Sequence, residues 1–338
     1  MTFKYDNVFI NDTATSVGRY ENNGPLKNYF DKSYNDFYMN QKTWEQAEEK
    51  MIEDTYDILQ NKINNQNIDL FISGDLLNQW VPSNYAARKF KIPYLGIYNA
   101  CATSVEGLII ASNMIEANQI KNCITSASSH NNGAEKQFRY PVEYGGPKPK
   151  TTTFTTTGCA MAYLSSNKKG IKVESATIGK VVDLGVKDVF NMGAVMTPAC
   201  ADTIYKHLID MKRDINYYDL VLSGDLGTYG KDILKEYMKH EYGINMNNYD
   251  DTACIIYDLK NQPVYAGGSG PACAPLVTYG YIFHLMKEKK LKKVLLVATG
   301  SLHSVATVNE HMTIPSIAHA ISLEVIEWYI YMLLSFVE

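Results

Sequence analysis

The stretch Ile92-Pro-Tyr-Leu-Gly-Ile-Tyr-Asn-Ala-Cys-Ala-Thr-Ser104 decides how this chain folds. Its apolar run from Tyr94 to Tyr98, started by Pro93, reads as a buried strand. The run stops at Asn99-Ala100-Cys101-Ala102, and a helical pattern takes over. Val105, Leu108, Ile109, Ser112 and Ile115 recur at the spacing of one helix face. Thr103, with Glu106 three residues on, reads as a capping box. Cys101 is thereby expected on a sharp strand-to-helix turn beside the positive end of a helix, with its sulfur exposed and its thiolate favoured. The competing reading is a small buried hydrophobe, which is what most free cysteines are.

Upstream, residues 1–40 are polar and aromatic, with a short strand at Val8–Ile10. Thr43 and Gln46 cap a helix whose buried face is Ala47, Met51, Ile52, Tyr56, Leu59 and Ile63. Ile68–Ile72 reads as a strand ending in Ser73-Gly-Asp-Leu76, and residues 82–90 as a helix. Downstream, Cys123–Ala127 is a strand ending in Ser128-Ser-His-Asn131. A long loop from Asn131 to Lys150 carries Lys136, Arg139, Tyr140, Tyr144, Lys148 and Lys150, and loops of that length in compact domains are usually functional. Threonine-rich Thr151–Leu164 reads as strand.

The pattern then repeats. Ile68-Asp-Leu-Phe-Ile-Ser-Gly-Asp-Leu76 returns as Tyr218-Asp-Leu-Val-Leu-Ser-Gly-Asp-Leu226. Asn99-Ala-Cys101-Ala returns as Pro271-Ala-Cys273-Ala ahead of a helix from Val277 to Met286, and Cys123–Ala127 returns as Val294–Ala298. Matches in the same order imply an α/β protein of two homologous halves, 1–165 and 166–324, each alternating strands and helices. Ligands of such sheets bind beyond the carboxyl ends of the strands. Asp75, Asn99, Cys101, Ser128, His130, Ser223, Asp225, Cys273 and His303 all follow strand ends and are expected to converge on a cleft between the halves. Against each aspartate stands a turn or helix cap, and against each histidine an ordinary structural side chain.

Composition bounds the function. The 338 residues are 46% apolar and 20% charged with a net charge of −4, so nothing favours nucleic acid. The six cysteines show no CxxC pair or metal-ligand spacing, and the N-terminus lacks the apolar core of a signal peptide, which fits synthesis in a reducing cytoplasm.

Duplicated halves with a cysteine on a strand-to-helix elbow resemble the thiolase superfamily, which includes the ketoacyl synthases. The resemblance implies a layered α-β-α-β-α fold and a homodimer formed through the first half. In such enzymes the elbow cysteine attacks an acyl thioester, helped by polar residues on turns of the second half. Here those turns hold Ser223-Gly224-Asp225 and Pro271-Ala272-Cys273. A carboxylate facing a developing oxyanion would oppose catalysis, so the nucleophile position, Cys101, is expected to be vestigial. The alternative is an active acyltransferase with Cys101 as nucleophile and His303, His319 or His130 as base.

A closer resemblance, extending to about Glu324, is to the stage V sporulation protein AD family of spore-forming bacteria. It is carried by Ser73-Gly-Asp-Leu-Leu-Asn-Gln79, Ala100-Cys-Ala-Thr-Ser-Val-Glu-Gly107, Ser128-Ser-His-Asn131, Glu135–Gly146, Ala266-Gly-Gly-Ser-Gly270 and Ile314-Pro-Ser-Ile-Ala-His-Ala320. It implies a non-catalytic protein that binds dipicolinic acid, alone or as its calcium chelate, for uptake into the developing spore. The partners implied are membrane proteins of the same operon, at the spore inner membrane, with no cofactor beyond calcium carried by the ligand. The expected ligand-binding set is Asp75, Asn99, Cys101, Ser104, His130, Asp225 and Cys273, with Arg139 adding charge if the long loop folds over. Helix-start amides and the hydroxyl of Ser104 suit a carboxylate, and Asp75 suits calcium. The apolar tail, 325–338, with Trp328 to Val337 broken only by Ser335, departs from the family pattern. It reads as an interfacial anchor, the start of a downstream membrane protein read in frame, a packed helix or a disordered tail, and is too short to span a bilayer.

Overall fold

The computed structural model describes residues 1–138 and 148–326. Ten strands build the frame: β1 (Phe9–Val17), β2 (Leu70–Gly74), β3 (Tyr94–Gly96), β4 (Asn122–Ser129), β5 (Gly158–Ser165), β6 (Ile171–Ile178), β7 (Leu220–Ser223), β8 (Tyr249–Asp251), β9 (Lys293–Ser301) and β10 (Ser316–Val325). They form one sheet in the order β8-β7-β9-β10-β6-β1-β5-β4-β2-β3. Numbered from its own first strand, each set of five runs 3-2-4-5-1. In each, the fifth strand alone is antiparallel to its neighbours, β5 to β4 and β1, and β10 to β9 and β6. The sequence repeat is therefore also a repeat of topology. The sets join where β1 meets β6 antiparallel, Phe9 opposite Lys172 and Ile10 opposite Ile171.

Alternation along the strands divides the apolar residues among three cores. Phe71, Ile124 and Met161 face an outer core with the helix Trp44–Lys62 and Ala86 of Val81–Phe90. Val221, Leu295, Val297, Ala318 and Ala320 face a second outer core with the helices Met192–Met211 and Gly227–Tyr242. Their neighbours Ile72, Leu164, Leu222, Leu296 and Ile321 face a shared central core. That core holds Thr103–Glu116 from the first half and the rod running from Cys273–Leu276 through Val277–Ile282 to Phe283–Lys287 from the second. The result is helix, sheet, helix, sheet, helix, the layered arrangement expected of a thiolase-like fold.

Local expectations needed correction in places. Tyr94–Tyr98 is not a buried strand: only Tyr94–Gly96 is extended, it is the sheet's edge, and Leu95 is 42% exposed. An apolar run alone does not separate an edge strand from a central one. Thr43 caps its helix by accepting from Gln46 N, but Gln46 returns its bond to Lys42 rather than to Thr43. The expected loop after Asn131 begins with a helix, Asn131–Phe138. Arg139, Tyr140, Tyr144, Gly145 and Gly146, and the tail from Glu327 onward, lie outside the described residues. Among the described residues no helix is long and apolar enough to cross a membrane.

One contact locks the halves at the point that matters below. A Cβ on Gly300, near the end of β9, would sit 2.4 Å from Asn99 O. Gly300→Ala is therefore expected to push strand and elbow apart, costing ~1–3 kcal/mol in chemical denaturation. A Gly→Ala change at Gly133, where an added Cβ would meet nothing nearer than 3.7 Å and φ is not positive, is the control for close approach.

Candidate functional site

The elbow is a strained turn held from within. Ala100 adopts φ 49°, the left-handed region that costs an L-residue about 1–2 kcal/mol. Thr103 offsets this: its hydroxyl accepts from Asn99 N at 2.9 Å and donates to Ala100 O at 2.7 Å. The capping box is thus not formed. Thr103 ties the turn preceding the helix, the N-cap position is Ala102 without a side-chain bond, and Glu106 Oε2 is buried without a partner.

Residues from the second half close over the elbow. Cys101 Sγ lies 3.7 Å from Ser269 Oγ, in the glycine-rich run Ala266–Gly270. Gly270, at φ 100°, donates its N–H to Asp225 Oδ2 at 3.0 Å. The Asp225 carboxyl is close enough to couple to the thiols of both Cys101 and Cys273, and Cys273 lies 3.8 Å from Thr252 Oγ1. Asn99, on the other side of the elbow, is 2.7 Å from His319 Nε2. Gly179 N donates to His319 Nδ1, which puts the ring proton on Nε2 and turns the Asn99 amide oxygen toward it. Asn99, Cys101, Asp225 and Cys273 are thus brought together from two halves, as expected.

The electrostatics run against an activated thiolate. Cys101 is only 9% accessible, not exposed as its elbow position suggested. Burial, then the charge of Asp225, push its thiol well above the ordinary cysteine range. Burial likewise pushes Asp225 well above the carboxylate range, with Asp251 adding like charge. That direction favours the acid form of Asp225, which would donate to an anion where the carboxylate would repel it. His319 is neutral, pushed down to about 4 by burial.

Other candidates stand apart. Asp75 accepts from Leu77 N at 2.9 Å and Ser83 N at 3.0 Å, holding its own loop. His130 donates from Nε2 to Phe37 O at 2.8 Å, and burial lowers it to about 4. Ser128 donates to Glu48, Ser223 to Asp251, and His303 pairs with Ser301. Ser104 Oγ is buried without a partner in the first turn of the elbow helix. Among the described residues no three His, Cys, Asp or Glu side chains are grouped to hold a metal ion. Ser269 was missed as a site residue, although its Gly-Gly-Ser-Gly setting, with little side-chain bulk, was a usable signal. Glu21 carried none. It lies fully buried, accepting from Tyr257 and from Thr157 N, with Oε2 unpartnered.

A sequence model of the family described as Stage V sporulation protein AD (SpoVAD) matches residues 1–324. The chain belongs to the stage V sporulation protein AD family. The family's protein from Bacillus subtilis (strain 168) is 44% identical over 319 residues, covering 94% of each chain. Solved structures similar to this member of the family share the fold at low identity. A variant of OleA from Xanthomonas campestris superposes with a TM-score of 0.62 at 12% identity, covering 96% of this chain and 99% of that one. The 3-oxoacyl-(acyl-carrier-protein) synthase III of Aquifex aeolicus gives 0.59 at 12% identity, covering 94% and 100%. The family is thus one of sporulation proteins built on the thiolase-like fold.

The buried acid Glu21 gives a pH test with a defined sign. Burial raises it from 4.5 to about 7 despite its bonds to Tyr257 and Thr157. Its folded-state value lies above the unfolded one, so its stabilisation is complete below the unfolded value and lost as pH rises through about 7. Glu21→Gln keeps the accepting oxygen and cannot ionise. In urea denaturation at a series of pH values its stability relative to the parent is expected to climb by ~3 kcal/mol across that window and then level off.

Proposed function

We propose that this chain is a non-catalytic binding protein for dipicolinate, alone or as its calcium chelate, serving uptake into the developing spore. The observation that carries the non-catalytic part is the state of the elbow thiol. A cysteine nucleophile needs a neighbouring base or cation to make its thiolate. Among the described residues the groups that act on Cys101 are Ser269, the acid Asp225 and the Gly270 backbone, and burial opposes ionisation. His319 is engaged with Asn99, and His303 and His130 bond elsewhere.

What remains is a buried cluster of hydrogen-bonding groups from both halves, whose chemistry suits a compact ligand with carboxylates. Asn99, Cys101, Ser104, Asp225 and Cys273 are its binding residues in this reading, with Asp75 and His130 shaping the loops around it. The chain then works beside membrane proteins of its operon at the spore inner membrane. It works as a homodimer, for which the exposed edge β3 supplies unpaired backbone. The second reading, an acyltransferase, draws on the strained elbow itself and on the synthases that share the fold.

Calorimetric titration of the purified chain with dipicolinate, with and without calcium, tests the first reading. Saturable binding is expected, weakened about tenfold, or ~1.4 kcal/mol, by Cys101→Ala. Absence of binding, together with a mass increase on Cys101 after incubation with an acyl-CoA, reverses the choice in favour of the acyltransferase.

A further inference from the structure

Both halves carry Ser-Gly-Asp-Leu at the end of their second strand, yet the two aspartates are used differently. Asp75 spends both oxygens on backbone amides of its own loop. In the second half that duty falls to Asp251, which accepts from Leu226 N at 3.2 Å, Gly227 N at 3.0 Å and Ala253 N at 3.1 Å. Asp225 is freed. Its backbone turns left-handed, φ 68°, and its carboxyl comes to lie beside the thiols of Cys101 and Cys273. Oδ2 accepts from Gly270 N, while Oδ1 is buried with no partner in a residue that is 0% exposed.

An orphaned buried oxygen costs roughly 1–3 kcal/mol, which makes it a feature in need of a reason. Among the described residues no Lys or Arg pairs with this carboxyl. Among the described residues the titratable groups facing it are Asp251 from the neighbouring strand, Cys101 from the elbow before the first central helix and Cys273 from the start of the second. Asp251 is pushed up to about 6 by burial, and both thiols well above their ordinary range. Burial and the like charge of Asp251 oppose an anion at Asp225 and outweigh the two thiols and the Gly270 N–H, which favour one, so a second anion beside an ionised Asp225 would be repelled.

We propose that Asp225 receives the ligand as a neutral carboxylic acid, its Oδ1 hydroxyl donating a hydrogen bond to a ligand carboxylate seated beside Cys101 and Ser269. This rests on the dipicolinate reading above. An O–H···O⁻ bond of this kind is short and charge-assisted, so the orphaned oxygen becomes the strongest donor in the cluster. The direction of the Asp225 shift, set first by burial, is the one such a donor requires. The sign follows. Ligand affinity is full while Asp225 holds its proton and falls as pH rises through its ionisation, when two anions would face each other.

Calorimetric titration with calcium-free dipicolinate from about pH 6 to 9 tests this, on the full chain and two variants. Asp225→Asn presents a fixed N–H donor of the same shape, and asparagine tolerates the left-handed turn. It is expected to bind within about threefold of the parent near neutrality and to lose the parent's alkaline fall. Asp225→Gly suits φ 68° without strain but has no donor, and is expected to lose at least about tenfold at every pH. Cooperative thermal unfolding of each variant shows that it is folded. In the infrared, the parent carries a carboxylic acid C=O band that Asp225→Asn lacks and that shifts when dipicolinate is added. Parental affinity in Asp225→Gly, or parallel pH profiles for parent and Asp225→Asn, would overturn the assignment. A parent that binds no dipicolinate fails differently, overturning the reading of the cluster on which the assignment rests.

Discussion

The antiparallel meeting of β1 with β6 is the constraint on which the rest depends. Two halves with the same strand order are joined at their first strands, so the sheet continues from one into the other. Both inward faces then need cover, and the helices that follow Ala102 and Ala272 supply it as one shared layer. Because those helices start at the carboxyl ends of strands, their first residues come together. The cluster around Cys101 thus draws on both halves, Cys101 from the first and Asp225, Ser269 and Cys273 from the second.

Within that cluster desolvation outweighs the helix end. An N-terminal turn favours anions by less than about 1 kcal/mol when exposed, and burying an unpaired charge costs several times more. Burial is the largest influence on Cys101, Asp225 and Cys273 alike; the Asp225 charge pushes both thiols further up, while the thiols pull Asp225 only partly back. Three acids share one space and each prefers its proton.

Much of this was legible in the sequence. The duplicated Ser-Gly-Asp-Leu and Ala-Cys-Ala segments encode the topology, because a repeat preserves strand order whatever happens to individual side chains. The elbow was legible too, since a strand pattern and a helix pattern cannot share residues 99–102. Three things were not. Whether Tyr94–Gly96 is central or edge depends on what lies beside it, which periodicity does not encode. Thr103 obeys the spacing of a cap, but it lies inside the helix and its oxygen accepts from the preceding Asn99 N–H instead. The different employment of Asp75 and Asp225 turns on Asp251, twenty-six residues away from Asp225 and outside the repeat. Charge states were the least legible, because they follow from enclosure by both halves.

The placement of β1 also bears on how the chain is made. Its long partners β5 and β6 begin at Gly158 and Ile171, so apart from the short pairing of Ser16 and Val17 with Lys32 and Ser33 the strand at Phe9–Val17 waits for roughly half the chain to be synthesised. Contacts of such sequence separation slow folding and leave apolar edges open meanwhile. The first half cannot close on the ribosome until its fifth strand has emerged. The step that follows, zipping β6 against β1, commits the second half to a template already in place.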